Sequence, residues 1–178
     1  MTTVLHDFVH EYDFPYHDYL LKFKPHLLDI YFNQRQNNKS VTDFRVANLE
    51  ILNFINPKID KIIETHYWVG EKLLDLGLRV YIQNNKENTS FLHAHAWNPG
   101  TLAAVFYVDP PKKGGELVFT DTTKFEFKLK PQRNKLYVFP MWLLHKPLPQ
   151  EDEDYRICFN WAYGGNVRPT HKVILKPW

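Results

Sequence analysis

Residues 91–100 read FLHAHAWNPG and place two histidines, His93 and His95, one residue apart in an apolar stretch that then turns. Alternate residues of a strand point to the same side, so an extended segment would project both imidazoles together. Neutral imidazole suits first-row metals, and a metal held for oxygen chemistry takes three protein ligands on one face and keeps its other positions open. The third ligand must come from elsewhere. His145, in LYVFPMWLLHKP, is the best candidate, placed after a run that ends in Phe139 and Pro140. The plainer reading stands beside this one. An H-x-H pair arises readily by chance in a chain with nine histidines, and a single histidine among apolar residues is usually a hydrogen-bonded core residue. The remaining histidines, His6, His10, His17, His26, His66 and His171, have no partner at ligand spacing.

A second chemical signal follows the third histidine. Arg156, in EDYRICFN, interrupts a run that otherwise reads as a buried strand. A charge in such a place needs a partner. The planar guanidinium pairs bidentately with carboxylates, so a small diacid could end here. The internal alternative is a pair with one of the acids at 151–154, which are close in sequence.

Positioning these groups falls to two unlike halves that meet near Leu78. Before it, Tyr19, Leu20, Phe23, Leu27, Ile30 and Tyr31 recur at spacings of three and four, the helical period, with Pro25 expected to kink or divide the helix. Ile59, Ile62, Ile63 and Tyr67 repeat that spacing, with Asn56 as a plausible N-cap and Pro57 at the first helical position. The stretch between, NNKSVTDFRVANLEILNF, fits no single state. From LRVYIQNN onward, short β-rich runs alternate with turn signals. TLAAVFYV suits a strand covered on both faces, PPKKGG a turn, and ELVFTD another strand. KFEFKLK puts Phe125, Phe127 and Leu129 on one face, and KLYVFP, WLLHKPL and YRICFNWAY complete the set. The expectation is an α+β chain, one domain over 1–178. Residues 1–77 would be mainly a helical support region packed on one sheet, and residues 78–178 a jelly-roll core carrying the site.

Bulk properties agree with one ordinary domain of 178 residues. The formal charge of +2 and the absence of a Lys/Arg block give no nucleic-acid signal. Cys158 is the only cysteine, so no internal disulfide can form. The opening MTTVLHDFVHEYDF lacks the basic and apolar regions of a secretory leader, and no run approaches membrane-spanning length, which gives cytoplasmic as the expected location. The aromatic content, 16%, favours strands and aromatic-lined pockets.

The ordered set HAH, AAVFYV, GGELVF, LYVFPMWLLH and YRICFN, within about residues 78–162, resembles the iron(II)- and 2-oxoglutarate-dependent dioxygenases. It is most similar to the small stand-alone, prolyl-hydroxylase-like proteins of bacteria and viruses. The N-terminal half matches only in being helical. The resemblance implies a double-stranded β-helix, with His93, His95 and His145 as iron ligands. Arg156 would bind the far carboxylate of 2-oxoglutarate, with Tyr107 as a hydrogen-bonding partner and Cys158 beside it. Asn160 matches the Asn that closes the family's last motif and would be structural or supporting.

Two positions depart from the family pattern. His95 stands where a carboxylate ligand is usual, although histidine there resembles one branch of these small proteins. A three-imidazole site keeps one more positive charge on the metal, which bears on its redox tuning. Cys158 stands where many relatives have Ser, and a thiol is the poorer hydrogen-bond donor.

The activity implied is oxidative decarboxylation of 2-oxoglutarate, with dioxygen, coupled to hydroxylation of a second substrate: a protein side chain, a free amino acid or a metabolite. Trp97, Asn98 and Tyr81 are candidates for the substrate cleft, as are Trp142 and Trp161, for which a place in the core is the alternative. Two other readings remain at this stage. A cupin-like metal enzyme also uses an H-x-H strand and a later His, but usually adds a Glu where AWNPG follows here, and it leaves Arg156 without a reason. A non-enzymatic jelly-roll binding or assembly protein would bind no iron and turn over no 2-oxoglutarate.

Overall fold

A computed structural model describes residues 2–6, 8–39, 42–69, 78–85, 91–95, 101–120, 126–163 and 167–169. The first half contains β1 (Thr2–His6), β2 (Val9–Asp13), α1 (His17–Leu21), α2 (Lys24–Asn37), β3 (Asp43–Arg45), α3 (Leu49–His66) and β4 (Tyr67–Val69). The second contains β5 (Arg79–Gln83), β6 (Leu102–Asp109), β7 (Leu117–Thr120), β8 (Glu126–Leu129), β9 (Lys135–Pro140), β10 (Leu144–Pro147), β11 (Arg156–Tyr163) and β12 (Val167–Pro169). The strands form a seven-stranded sheet in the order β1-β2-β9-β6-β11-β5-β3, a three-stranded sheet β10-β7-β8 and the pair β12-β4. Every pairing is antiparallel. No helix among the described residues is long and apolar enough to cross a membrane.

The large sheet is covered on both faces, and side-chain alternation shows how. On β6, Ala104, Phe106 and Val108 join an apolar cluster with Ile51, Ile55, Ile59 and Ile63 of α3, while Ala103, Val105 and Tyr107 join a second cluster with Leu117, Phe119 and Leu129 of the small sheet. On β11, Ile157, Phe159 and Trp161 face the helices, and Cys158 faces the small sheet. The helices thus lie on one face of the large sheet and the small sheet on the other, as the helix-on-sheet expectation required. β6 is buried along almost its whole length, in agreement with the doubly covered strand expected there. Between residues 79 and 163 the runs LRVYIQNN, TLAAVFYV, ELVFTD, KFEFKLK, KLYVFP, WLLHKPL and YRICFNWAY each contain a strand, whereas the segment holding His93 and His95 does not. Phe125 lies outside the described residues, and Phe127 and Leu129 hold the packed face of β8.

The first half departs from expectation in two ways. It contributes strands as well as helices: β1 and β2 extend the large sheet beyond β9, and β3 closes its opposite edge against β5. These are short, and β2 carries His10, Glu11 and Asp13 in five residues, so no clean alternation of apolar and polar residues marks it.

The second departure concerns α3. Pro25 does divide α1 from α2, standing in the first turn of α2. Pro57, expected at a helix start, instead lies inside α3, which begins at Leu49 with Asn48 as N-cap, its side chain accepting from the Ile51 amide at 3.1 Å. The stripe Ile51, Ile55, Ile59 and Ile63, each at most 1% exposed, runs through the proline. Burying each isoleucine contributes roughly 1.5–3 kcal/mol, against a cost of roughly 3 kcal/mol for one interior proline, so packing carries the helix across it. Asn56 is not a cap; its side chain accepts from Trp161 Nε1 at 3.2 Å and ties α3 to β11.

Replacing Ile55 by Ala should therefore destabilise the protein by about 2–4 kcal/mol in urea unfolding, whereas Leu49→Ala, at a position 70% exposed, should stay within about 0.5 kcal/mol of wild type. Equal effects at the two positions would contradict the placement of this helix.

Candidate metal centre

His93 and His95 do not lie in a regular strand. The segment 91–95 runs extended beside β10 and touches it through one antiparallel bridge, His93 with His145, whose amides and carbonyls exchange hydrogen bonds of 3.1 and 2.9 Å. The His95 amide donates to the Met141 carbonyl at 2.9 Å, and the Met141 amide to Thr101 at 3.0 Å. The backbone ladder therefore does what the expected strand would have done and brings the pair against the third histidine. His145 stands in β10, with its ring edge-on to Phe139 at 5.0 Å between centroids.

The three imidazoles form a near-equilateral triangle, with ring centroids 4.7, 4.8 and 4.9 Å apart. They are the cluster of potential metal ligands found among the described residues. Their tautomers follow from their neighbours. Nδ1 of His145 lies 2.8 Å from the Leu143 carbonyl and Nδ1 of His93 lies 2.7 Å from the Phe91 carbonyl. A carbonyl oxygen can only accept, so each Nδ1 carries the proton and each neutral ring keeps its lone pair on Nε2. His145 Nε2 faces His95 Nε2 at 3.1 Å. A backbone carbonyl that fixes the far side of the ring, as at His145 and His93, is the device by which histidine ligands are oriented on a metal. The donor set fits a divalent first-row ion, iron(II) included.

Electrostatics agree with that fit. Burial pushes the His145 imidazole down to about 4, opposed by its hydrogen bond to Leu143 and reinforced by His95 and His93. His95 is lowered as well, by burial and then by His93. Neutral rings are the form that binds metal.

Arg156 opens onto the same cavity of about 310 Å³, as do Tyr81, Gln83, Tyr107, Cys158 and Asn160. Its side chain is only 4% exposed. It donates to the Leu148 carbonyl at 3.2 Å, to the Gly115 carbonyl at 3.5 Å and to Gln83 Oε1. All three acceptors are neutral. The pairing with acids 151–154 does not form: Asp154 pairs with Lys112, Glu151 with Lys113, and Asp152 accepts from the Lys112 and Lys113 amides at 3.0 and 3.1 Å. The turn 110–115 intercepts Glu151, Asp152 and Asp154 before they reach the arginine. Tyr107, 2% exposed, has its hydroxyl pushed well up by burial and stays protonated. Burial likewise raises the Cys158 thiol, whose sulfur accepts from Asn160 Nδ2 at 3.4 Å.

Of the residues expected in a substrate cleft, Tyr81 lines the cavity, and Trp97 and Asn98 lie outside the described residues. Trp161 is a core residue on the helical face, and Trp142 packs edge-on against Phe8, so neither lines the cavity. Gln83 escaped the sequence reading. The signal was available in part, since Tyr81 and Gln83 alternate along β5 and share a face, but only the strand register sets Gln83 directly opposite Arg156.

The helix layer, the large sheet and the facing small sheet are a fold shared with solved prolyl hydroxylases. The chain is similar to a prolyl-4-hydroxylase from Pseudomonas putida, with a TM-score of 0.59 and 15% identity over 88% of this chain and 92% of that one. It is similar also to the viral collagen prolyl hydroxylase vCPH of Paramecium Bursaria Chlorella virus-1 in its 2OG complex, with a TM-score of 0.57 and 16% identity over 89% and 96% of the two chains. At such identities the likeness is one of fold. No family model and no curated protein matches the chain.

Because the folded pKa of His145 lies below the ordinary 6.5, the unfolded chain takes up this proton first, and the stability tied to the neutral ring is complete above about 6.5 and lost as pH falls toward about 4. In the metal-free protein an NMR titration should place the His145 midpoint near 4; a midpoint near 6.5 would contradict the buried, neutral ligand.

Proposed function

We propose that the chain is an iron(II)- and 2-oxoglutarate-dependent dioxygenase, a single domain over residues 1–178 whose two facing sheets form a double-stranded β-helix. The observation that carries this reading is Arg156: a buried guanidinium, without a carboxylate partner among the described residues, opening onto the cavity that holds three imidazoles. A metal site alone would suit many enzymes. A metal site sharing one cavity with an unanswered positive charge suits a ligand that coordinates at one end and carries a carboxylate at the other. A cupin-like site gives no account of that arginine, and a purely structural role would leave a buried charge uncompensated.

In this reading His93, His95 and His145 hold iron(II) through Nε2. When bound, iron(II) with 2-oxoglutarate and dioxygen supplies an oxidative decarboxylation coupled to hydroxylation of a second substrate. The chain's own residues position and shield the reactants. Arg156 binds the far carboxylate, and the Tyr107 hydroxyl, kept protonated by burial, donates to it. Cys158 and Asn160 furnish the floor of the pocket on β11. Phe139 and Phe119 back His145 and keep water from its inner side. Tyr81 faces the space where the second substrate would enter.

Anaerobic iron(II) titration followed by succinate measurement tests the proposal. His145→Ala, which removes a direct ligand, should weaken iron binding by at least about 100-fold, more than loss of an outer partner would, and abolish succinate formation. Arg156→Ala should leave iron binding intact and lower 2-oxoglutarate affinity by at least about tenfold. Succinate formation that neither substitution alters would contradict the assignment.

A further inference from the structure

We propose that Gln83 is a positioning residue of the carboxylate pocket: it holds Arg156 through a neutral oxygen and so leaves the guanidinium charge free for the incoming diacid. The inference rests on the function proposed above and assigns a role that the resemblance does not supply. Gln83 and Arg156 stand directly opposite each other in the β5–β11 register, and both open onto the cavity. A guanidinium only donates, so the amide must present Oε1 to it, as it does.

The chemistry of the position turns on one atom. Glutamate has the shape of glutamine and would grip Arg156 more strongly, because a charge-assisted pair outweighs a neutral hydrogen bond. It would also answer the charge internally and set a second anion beside the arriving carboxylate. The rest of the surroundings follow the same rule. The other two contacts of Arg156 are main-chain carbonyls, and one of them belongs to Gly115, at φ +72°, where a Cβ would lie 2.5 Å from Pro111 Cγ and 3.4 Å from Arg156 Nη1. The left-handed backbone and the clash with Pro111 make this a glycine position, and they fix the carbonyl that faces the guanidinium. The nearby acids are held by Lys112, Lys113 and their amides. Among the described residues, Arg156 is thus held in place by dipoles and not by a full negative charge.

Calorimetric binding of 2-oxoglutarate and of 2-oxobutanoate, which lacks the far carboxylate, to the iron(II)-loaded protein under anaerobic conditions tests the role. Wild type should bind the diacid at least about tenfold more tightly than the monoacid. Gln83→Glu should fold with wild-type circular dichroism, keep its affinity for 2-oxobutanoate and reduce the preference to about threefold or less. Gln83→Met, which removes the acceptor without adding charge, should bind the diacid at most about twofold less tightly and so keep at least about half of the wild-type preference. A wild-type preference that survives in Gln83→Glu, or that falls equally in both variants, overturns the role of Gln83 while leaving the proposed function standing. A wild type with no preference for the diacid overturns both.

Discussion

Arginine keeps its proton at any pH at which a protein folds, so a buried guanidinium cannot escape the cost of desolvation by becoming neutral, as a lysine would. Arg156 sits at the start of β11 under that constraint, its donors met by two main-chain carbonyls and a glutamine amide and its charge met by none of the described residues. An uncompensated buried charge costs several kcal/mol, a large share of the net stability of a domain this size. A sequence keeps such a group where something outside the chain completes it. In the function proposed, the triad of imidazoles across the same cavity takes one end of that ligand through a metal and the guanidinium takes the other.

The sheet architecture makes the cavity possible. A strand buried on one face offers its other face to water. Here β6 and β11 are buried on both, so alternate residues serve two separate interiors. The residues facing α3 are large and apolar and close completely. Those facing the small sheet include Tyr107, Cys158 and Arg156, which pack less completely and leave room for a ligand. The four-residue stripe of α3 therefore acts on function indirectly, by fixing the plane of the sheet on whose opposite face the pocket is built. The metal side is positioned by a different device, a short extended segment zipped onto β10 and the Met141 carbonyl, which sets His93 and His95 without a full strand.

Much of this was legible in the sequence, and the parts that were not share a cause. The strands between residues 79 and 163 announce themselves through alternation and apolar runs bounded by turn residues, and the grouping of His93, His95, His145 and Arg156 was implied by the resemblance of the ordered motifs to the dioxygenases. The small strands of the first half are three to five residues long and mix buried residues such as Val9, Tyr12 and Phe44 with charged ones, so no period shows in the sequence. Asn56–Pro57 looks like a helix start since local chemistry favours it there, yet the isoleucine stripe on both sides of the proline decides otherwise. The partners of Arg156 could not be read either. Proximity in sequence pointed to the acids at 151–154, whereas the lysines of a turn some forty residues earlier take them, and Gln83 is brought in by strand register alone.

The central claim is that one cavity holds a metal on three imidazoles and a carboxylate on Arg156. Crystals grown anaerobically with iron(II) and 2-oxoglutarate, with diffraction recorded on either side of the iron absorption edge, test it most directly. The account predicts one strong anomalous peak bounded by Nε2 of His93, His95 and His145, and continuous density from that peak to the Arg156 guanidinium. An iron peak elsewhere, or a 2-oxoglutarate molecule whose far carboxylate does not meet Arg156, would contradict it.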